Sequence, residues 1–111
     1  MPVSLDFNNL FSQMLTAAKT SFNKKWPKIK DLATSSVKTL AQNVVDIEQM
    51  RIAGTITEEQ ARLKLDLQKN AFKTVLLTEE GIGLLVVESA LNAMLGIIKD
   101  TVNTAIGFAL I

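Results

Sequence analysis

Apolar residues recur three and four positions apart along most of this chain, which is the spacing of one face of an α-helix. Five glycines and two prolines in 111 residues leave few points at which a helix must stop. We predict an all-α fold, an antiparallel helical hairpin or bundle of three to four helices with a long, very apolar C-terminal helix. The chain is read as a single helical domain, 1–111, with helices at about 5–23, 27–53, 58–77 and 79–108.

The first predicted helix has a strongly apolar stripe and an opposite face that is polar and almost uncharged. Three of the five phenylalanines of the chain, Phe7, Phe11 and Phe22, fall on that stripe. We expect this face to pack on an apolar partner, and the C-terminal segment is the first candidate. Packing on a membrane surface is the alternative, because lysines that follow the helix would be attracted to anionic headgroups.

The second and third predicted helices form a hairpin. A short coiled-coil seam alternates steps of three and four in the second helix. Its members are Val37, Leu40, Val44 and Ile47. Arg51 and then Gly54 suit a helix end, while Thr57 and Gln60 match the capping box that begins a new helix. The short connection predicts that the two helices are antiparallel neighbours, and Gln68 is read as a boundary residue of the third helix.

The last third of the chain, residues 81–111, is the most apolar, with only Glu88, Lys99 and Asp100 charged. Such a helix is central in a bundle, lies between subunits, or contacts lipid. Residues 81–98 reach the minimum length of a membrane span, about 18 residues, but an acid near the middle brings the insertion free energy close to zero. Burial against protein is therefore favoured. Glu88 either faces solvent or pairs with a lysine of another helix, such as Lys19 or Lys73.

Residues 78–81 allow two interpretations. Thr78 can cap a new helix that has Glu79 and Glu80 in its first turn. Alternatively the third helix continues through Gly81, since one glycine costs only about 1 kcal/mol in a helix. We favour a break or kink, and expect apolar surface to be left over in either case.

That surplus of apolar residues predicts homo-oligomerisation through the C-terminal helix and the phenylalanine face. The predicted oligomer interface consists of Phe7, Phe11, Phe22, Leu84, Leu91, Leu95, Ile98, Val102 and Ile106. Small chains gain most from association because they bury a smaller fraction of their surface when they fold alone.

The composition argues against catalysis. The chain has no histidine and no cysteine, so it lacks the usual bases, thiolates and zinc ligands. The adjacent acids Glu58–Glu59 and Glu79–Glu80 lie at predicted helix starts, where the helix dipole accounts for them. We therefore predict no enzyme, no catalytic residue, no metal site and no cofactor.

The only basic cluster surrounds the single tryptophan, Trp26, and Pro27. It consists of Lys19, Lys24, Lys25, Lys28 and Lys30. Without arginine it lacks the forked donors that phosphate and base recognition usually employ, so nucleic acid is a disfavoured partner. A solvated, charged corner is the preferred interpretation.

The N-terminus has no basic segment ahead of an apolar run, as a secretory signal would, and a cytoplasmic location is expected. The leading functional hypothesis is a non-enzymatic structural or interaction protein that homo-oligomerises. The alternatives are a membrane-active helical protein of holin or pore-forming type, and a carrier or chaperone for an apolar ligand or partner helix.

Overall fold

The computed structural model describes residues 5–78 and 81–111, and over these residues the fold is all-α, as predicted. Four helices follow one another: α1 (Phe7–Phe22), α2 (Trp26–Ile52), α3 (Glu58–Thr78) and α4 (Leu84–Ile106). A single 3-10 turn, Asn23–Lys25, joins α1 to α2. The described residues contain no β-strand.

Local chemistry explains where α1 and α2 begin. The Asp6 carboxylate accepts a hydrogen bond of 3.0 Å from the backbone N–H of Asn8 and so caps α1. After α1 the chain reverses at Asn23, whose φ of 52° lies in the left-handed region that asparagine tolerates. Pro27 lies in the first turn of α2, where its missing N–H costs no helical hydrogen bond.

The connection between α2 and α3 has the chemistry predicted from the sequence. Gly54 takes a positive φ of 72° just beyond α2. The Gln60 backbone N–H donates to Thr57 Oγ1 at 3.1 Å, while the Thr57 N–H donates to Gln60 Oε1 at 3.0 Å. This reciprocal pair is the capping box.

Helices α3 and α4 are separate over the described residues. Helix α3 ends at Thr78, and α4 begins at Leu84, five residues after the start predicted at 79. Gly81 has a positive φ of 65° and Gly83 is extended, so neither continues a helix. The predicted first-turn acids Glu79 and Glu80 lie outside the described residues.

Two contacts fix how the helices are arranged. The backbone N–H of Leu5 donates to the Glu48 carboxylate, which brings the start of α1 to the last turns of α2. Arg62 Nε donates to the Ala109 carbonyl at 3.2 Å, which brings the start of α3 to the end of α4. The opposite end of the bundle therefore contains the end of α1, the start of α2, the end of α3 and the start of α4. We call it the lysine end, because the basic cluster lies there.

The core is formed within this one chain. Helix α4 packs most closely on α1, and α3 packs on α2 and α4. The buried side chains of α4 are Val87, Ala90, Leu91, Met94, Leu95, Ile98, Val102 and Ile106. The accessible surface of 6,367 Å² is close to the roughly 6,100 Å² expected for a monomeric protein of this mass. The C-terminal segment therefore needs no second subunit to be buried.

The last residues fold back over the end of the bundle. Helix α4 ends at Ile106 and is followed by Gly107, whose φ is 91°. The Asn103 side-chain oxygen then accepts hydrogen bonds from the backbone N–H groups of Leu110 and Ile111 at 2.9 and 3.0 Å. The guanidinium groups of Arg51 and Arg62 each lie 5.3 Å from the centroid of the Phe108 ring. Asn103 thus secures the C-terminal tail.

Candidate functional site

Most of the predicted oligomer interface lies inside the bundle. Six of its nine residues are buried within the single chain. They are Phe22, Leu91, Leu95, Ile98, Val102 and Ile106. Phe7 and Phe11 are half-buried and stack on each other with ring centroids 5.7 Å apart, while Leu84 is 49% exposed at the lysine end. Of the nine predicted interface residues, only these last three are accessible to a second copy. Association through the other six would require the bundle to open.

Among the described residues the buried acid is Glu48, which the sequence analysis did not single out. It is 1% exposed, and its two carboxylate oxygens accept the Leu5 N–H at 3.0 and 2.9 Å. Glu88 is half-buried and forms no ion pair with Lys19 or Lys73. The ion pairs between described residues are Glu58–Arg62, which is exposed, and Asp66–Lys69, which is partly exposed; both lie within α3 and are 3.6 Å long.

A concave surface runs between α2 and α3, and we call it the α2–α3 groove. Its polar part is a cleft of about 440 Å³ lined by Lys38, Thr39, Gln42, Asn43, Asp46, Lys64 and Gln68. Its apolar part is a cleft of about 240 Å³, whose lining includes Leu32, Leu40, Ala71, Phe72 and Val75. Thr39 and Gln68 line both parts, so the two clefts adjoin. Gln68, predicted as a boundary residue, is half-buried at their junction.

Asn43 lies in the polar part of the groove with an unpaired oxygen. The residue is 7% exposed, and its Oδ1 has no hydrogen-bond partner among the described residues. A buried polar atom without a partner typically costs about 1–3 kcal/mol. Next to it, Gln42 Nε2 donates to Asp46 at 3.0 Å, so that carboxylate already has a partner.

Two exposed leucines of α3 lie near the groove. Leu63 and Leu67 are each 60% exposed and are four residues apart, so they form one row along the helix. By helical geometry this row is nearly opposite the buried Leu65 and flanks the groove-lining Ala71. The sequence contained this signal, an apolar pair at positions i and i+4 off the core stripe, but the sequence analysis did not use it.

The predicted basic cluster occupies the end of α1 and the start of α2. Lys24, Lys25 and Lys28 are exposed, and Lys19 Nζ lies 5.9 Å from the centroid of the Trp26 ring. Trp26 is half-buried and stacks on Phe22 with ring centroids 6.4 Å apart.

Within residues 5–78 and 81–111, no three His, Cys, Asp or Glu side chains come together in a way that could hold a metal ion. Among the helices described, none has the combined length and apolarity that crossing a bilayer demands. Comparison with protein-family models, with curated proteins and with solved structures gives no match to this chain.

Proposed function

We propose that this chain is a non-enzymatic structural or interaction protein whose folded copies associate through the α2–α3 groove and the Leu63/Leu67 row. The observation that carries this proposal is the exposure of two leucines in one row beside a partly apolar groove. Homo-oligomerisation is retained from the sequence hypothesis, but the surface moves from the C-terminal helix and the phenylalanine face to α3. The expected cytoplasmic location is retained as part of the proposal.

This face is suited to pairing with itself. It carries a projecting row, Leu63 and Leu67, and a recess floored by Leu40 and Phe72. In a two-fold interface the same patch is used on both copies, so the row of each copy can enter the groove of the other. Burying exposed leucines in this way contributes about 25 cal/mol for each Å² of apolar surface removed from water.

The charges of the groove also favour a second copy of the same chain. Lys38 and Lys64 line the polar cleft together with Asp46. A face that carries both signs can place positive groups opposite negative ones when it meets itself, which supports register and orientation. A partner of a single strong charge would leave one of these groups unmatched.

The area of this face sets the expected strength of dimerisation. Helix α3 has 21 residues and is therefore about 31 Å long, and two adjacent helices span roughly 20 Å. The face then offers about 600 Å² per copy, or about 1,200 Å² in total, which is at the lower end of specific interfaces. We therefore expect a dimer whose population depends on protein concentration.

Sedimentation velocity over a concentration series tests this proposal. The wild-type chain should shift from monomer to dimer as its concentration rises. Replacing both leucines of the row, Leu63→Ser with Leu67→Ser, should leave a monomer at all concentrations with unchanged helical content. The matched control, Leu84→Ser with Leu85→Ser, changes two exposed leucines at the lysine end. This variant should dimerise like the wild type.

Three outcomes would overturn the proposal. The first is a wild-type chain that remains monomeric at the highest concentration. The second is a dimer that survives in the Leu63→Ser/Leu67→Ser variant. The third is native mass spectrometry that shows a monomer with a small co-purified molecule, because the groove would then belong to a carrier.

A further inference from the structure

The lysine end combines the most exposed large apolar side chain of the described residues with the basic cluster. Leu85 is 83% exposed and Leu84 is 49% exposed at the start of α4. Three exposed lysines lie at the junction of α1 and α2, namely Lys24 and Lys25 in the 3-10 turn and Lys28 in the first turn of α2. The antiparallel order of the helices puts the start of α4 at the same end as this turn, although the two segments are about 60 residues apart in the chain.

The tryptophan of this end lies at the boundary between core and solvent. Trp26 is half-buried, stacks on Phe22 and has the Lys19 ammonium 5.9 Å from its ring. Tryptophan is enriched at the interface between lipid and water, since its ring is largely apolar and its indole N–H remains able to donate a hydrogen bond. It is the only tryptophan in the chain, so its fluorescence reports on this end alone.

The positive charges of the basic cluster lie on α1, on α2 and in the turn between them. Lys30 extends the cluster along α2, next to Asp31. The described acid on the α4 side of this end is Glu88, and Glu79 and Glu80 lie outside the described residues. Cationic attraction is therefore local to the turn that holds Trp26.

We infer that the lysine end docks on an anionic lipid bilayer, with Leu84 and Leu85 entering the headgroup region and Lys24, Lys25 and Lys28 binding anionic headgroups. Peripheral binding of this kind requires both apolar burial and electrostatic attraction, because either contribution alone is weak. The bundle stays folded and its core stays closed. The contact is distinct from the self-association proposed above, which uses Leu63 and Leu67 on α3.

Charge complementarity selects lipid over a second copy at this end. Two copies that met with their lysine turns facing each other would bring two positive clusters together, and like charges repel. An anionic bilayer supplies the opposite charge across a surface large enough to meet every lysine of the turn. It also buries Leu85 without requiring a shaped pocket.

Binding to vesicles, followed by the fluorescence of Trp26 and by co-sedimentation, tests this inference on the full-length chain. With mixed phosphatidylserine and phosphatidylcholine vesicles, the emission should shift to shorter wavelength and the chain should sediment. With pure phosphatidylcholine, binding should be at least about tenfold weaker, since each lysine near an anionic surface accounts for roughly fivefold in affinity. Raising the salt from about 0.1 M to about 1 M should release the chain, because charges are screened.

Paired variants separate the two contributions. Leu84→Ser with Leu85→Ser should weaken binding about tenfold or more, because burial of one leucine side chain corresponds to at least that factor. Lys24→Glu with Lys25→Glu should weaken it by more than about tenfold. The matched control, Leu63→Ser with Leu67→Ser, should keep full vesicle binding while losing the dimer, so failure of either proposal can be recognised without the other.

The inference is overturned by any of three results. These are equal binding to anionic and neutral vesicles, unchanged binding by the Leu84→Ser/Leu85→Ser variant, and equal loss of binding in the Leu63→Ser/Leu67→Ser control, which would indicate general hydrophobic adhesion. Each variant is first compared with the wild type by circular dichroism. Where a double variant is unfolded, the corresponding single substitutions are used in its place.

Discussion

The Glu48 carboxylate holds the backbone of Leu5 with both of its oxygens, at 3.0 and 2.9 Å, in a nearly water-free position. The contact spans 43 residues of sequence and ties the start of α1 to the last turns of α2. An acid beside Ile47 on a helix looks in the sequence like an ordinary polar position. Only the packing of α1 against α2 takes this one away from solvent.

Replacing Glu48 tests that contact. Glu48→Ala leaves the Leu5 N–H without its acceptor and should lower the free energy of unfolding by about 2–3 kcal/mol. Glu48→Gln keeps one acceptor oxygen and should cost less, about 1 kcal/mol. Urea titration monitored by circular dichroism measures both. An alanine variant as stable as the wild type would show that the contact contributes nothing to stability.

Asn43 should be replaceable with a gain in stability. Its Oδ1 is buried and unpaired among the described residues, so an apolar side chain of similar size removes a desolvation cost. We expect Asn43→Leu to raise the free energy of unfolding by roughly 1 kcal/mol. Asn43→Asp places a charge in the same position and should lower it. Thermal melting at low protein concentration tests both, and a destabilised leucine variant would mean that the amide has a partner.

The contribution of the capping box at the start of α3 to the free energy of unfolding should be measurable separately from core packing, because Thr57 and Gln60 are both exposed. Thr57→Ala removes the acceptor of the Gln60 N–H and should cost about 1 kcal/mol. Thr57→Ser keeps the hydroxyl oxygen and should be close to neutral. Thermal unfolding of the two variants compares them directly, and equal melting temperatures would contradict a capping role.

Two leucines of α4 that are six residues apart differ in burial, one lying in the core and the other on the surface. Leu91 is buried, so Leu91→Asp places an unpaired charge in the core and should cost at least about 4 kcal/mol, enough to unfold much of the population. Leu85→Asp changes a side chain that is 83% exposed and should alter stability by less than about 1 kcal/mol. Circular dichroism distinguishes them. Similar melting of the two variants would contradict the burial of α4 within one chain.

Local features of the fold were predictable because they depend on neighbouring residues. The helical spacing of α1, the glycine after α2 and the reciprocal pair of Thr57 and Gln60 are each fixed by a few adjacent positions. The late start of α4 was missed because Gly81 and Gly83 take non-helical backbone conformations there.

The candidate sites were predictable only in part. The basic cluster was visible as a run of lysines, but its position at the same end of the bundle as Leu84 and Leu85 follows from the alternating directions of successive helices, which make α2 and α4 parallel. The Leu63/Leu67 row was visible as a spacing, yet the groove beside it exists only once α2 and α3 pack. The sequence analysis expected α1 to pack on the C-terminal segment, but it also assigned apolar residues of α4 to a second copy, because spacing alone does not reveal how completely the helices of one chain cover them.

The sequence by itself determined that this protein is helical, where one hairpin turns, and that residues 81–111 must be kept from water, since spacing, capping and apolarity are properties of short segments. Tertiary structure decided that the packing of α1 on that segment, which the sequence analysis expected, closes the core within one chain. It also decided that Glu48 rather than Glu88 is the buried acid among the described residues, and that two leucine pairs remain exposed at separate places. These outcomes depend on which helical faces meet, and that is set by contacts between residues far apart in the chain.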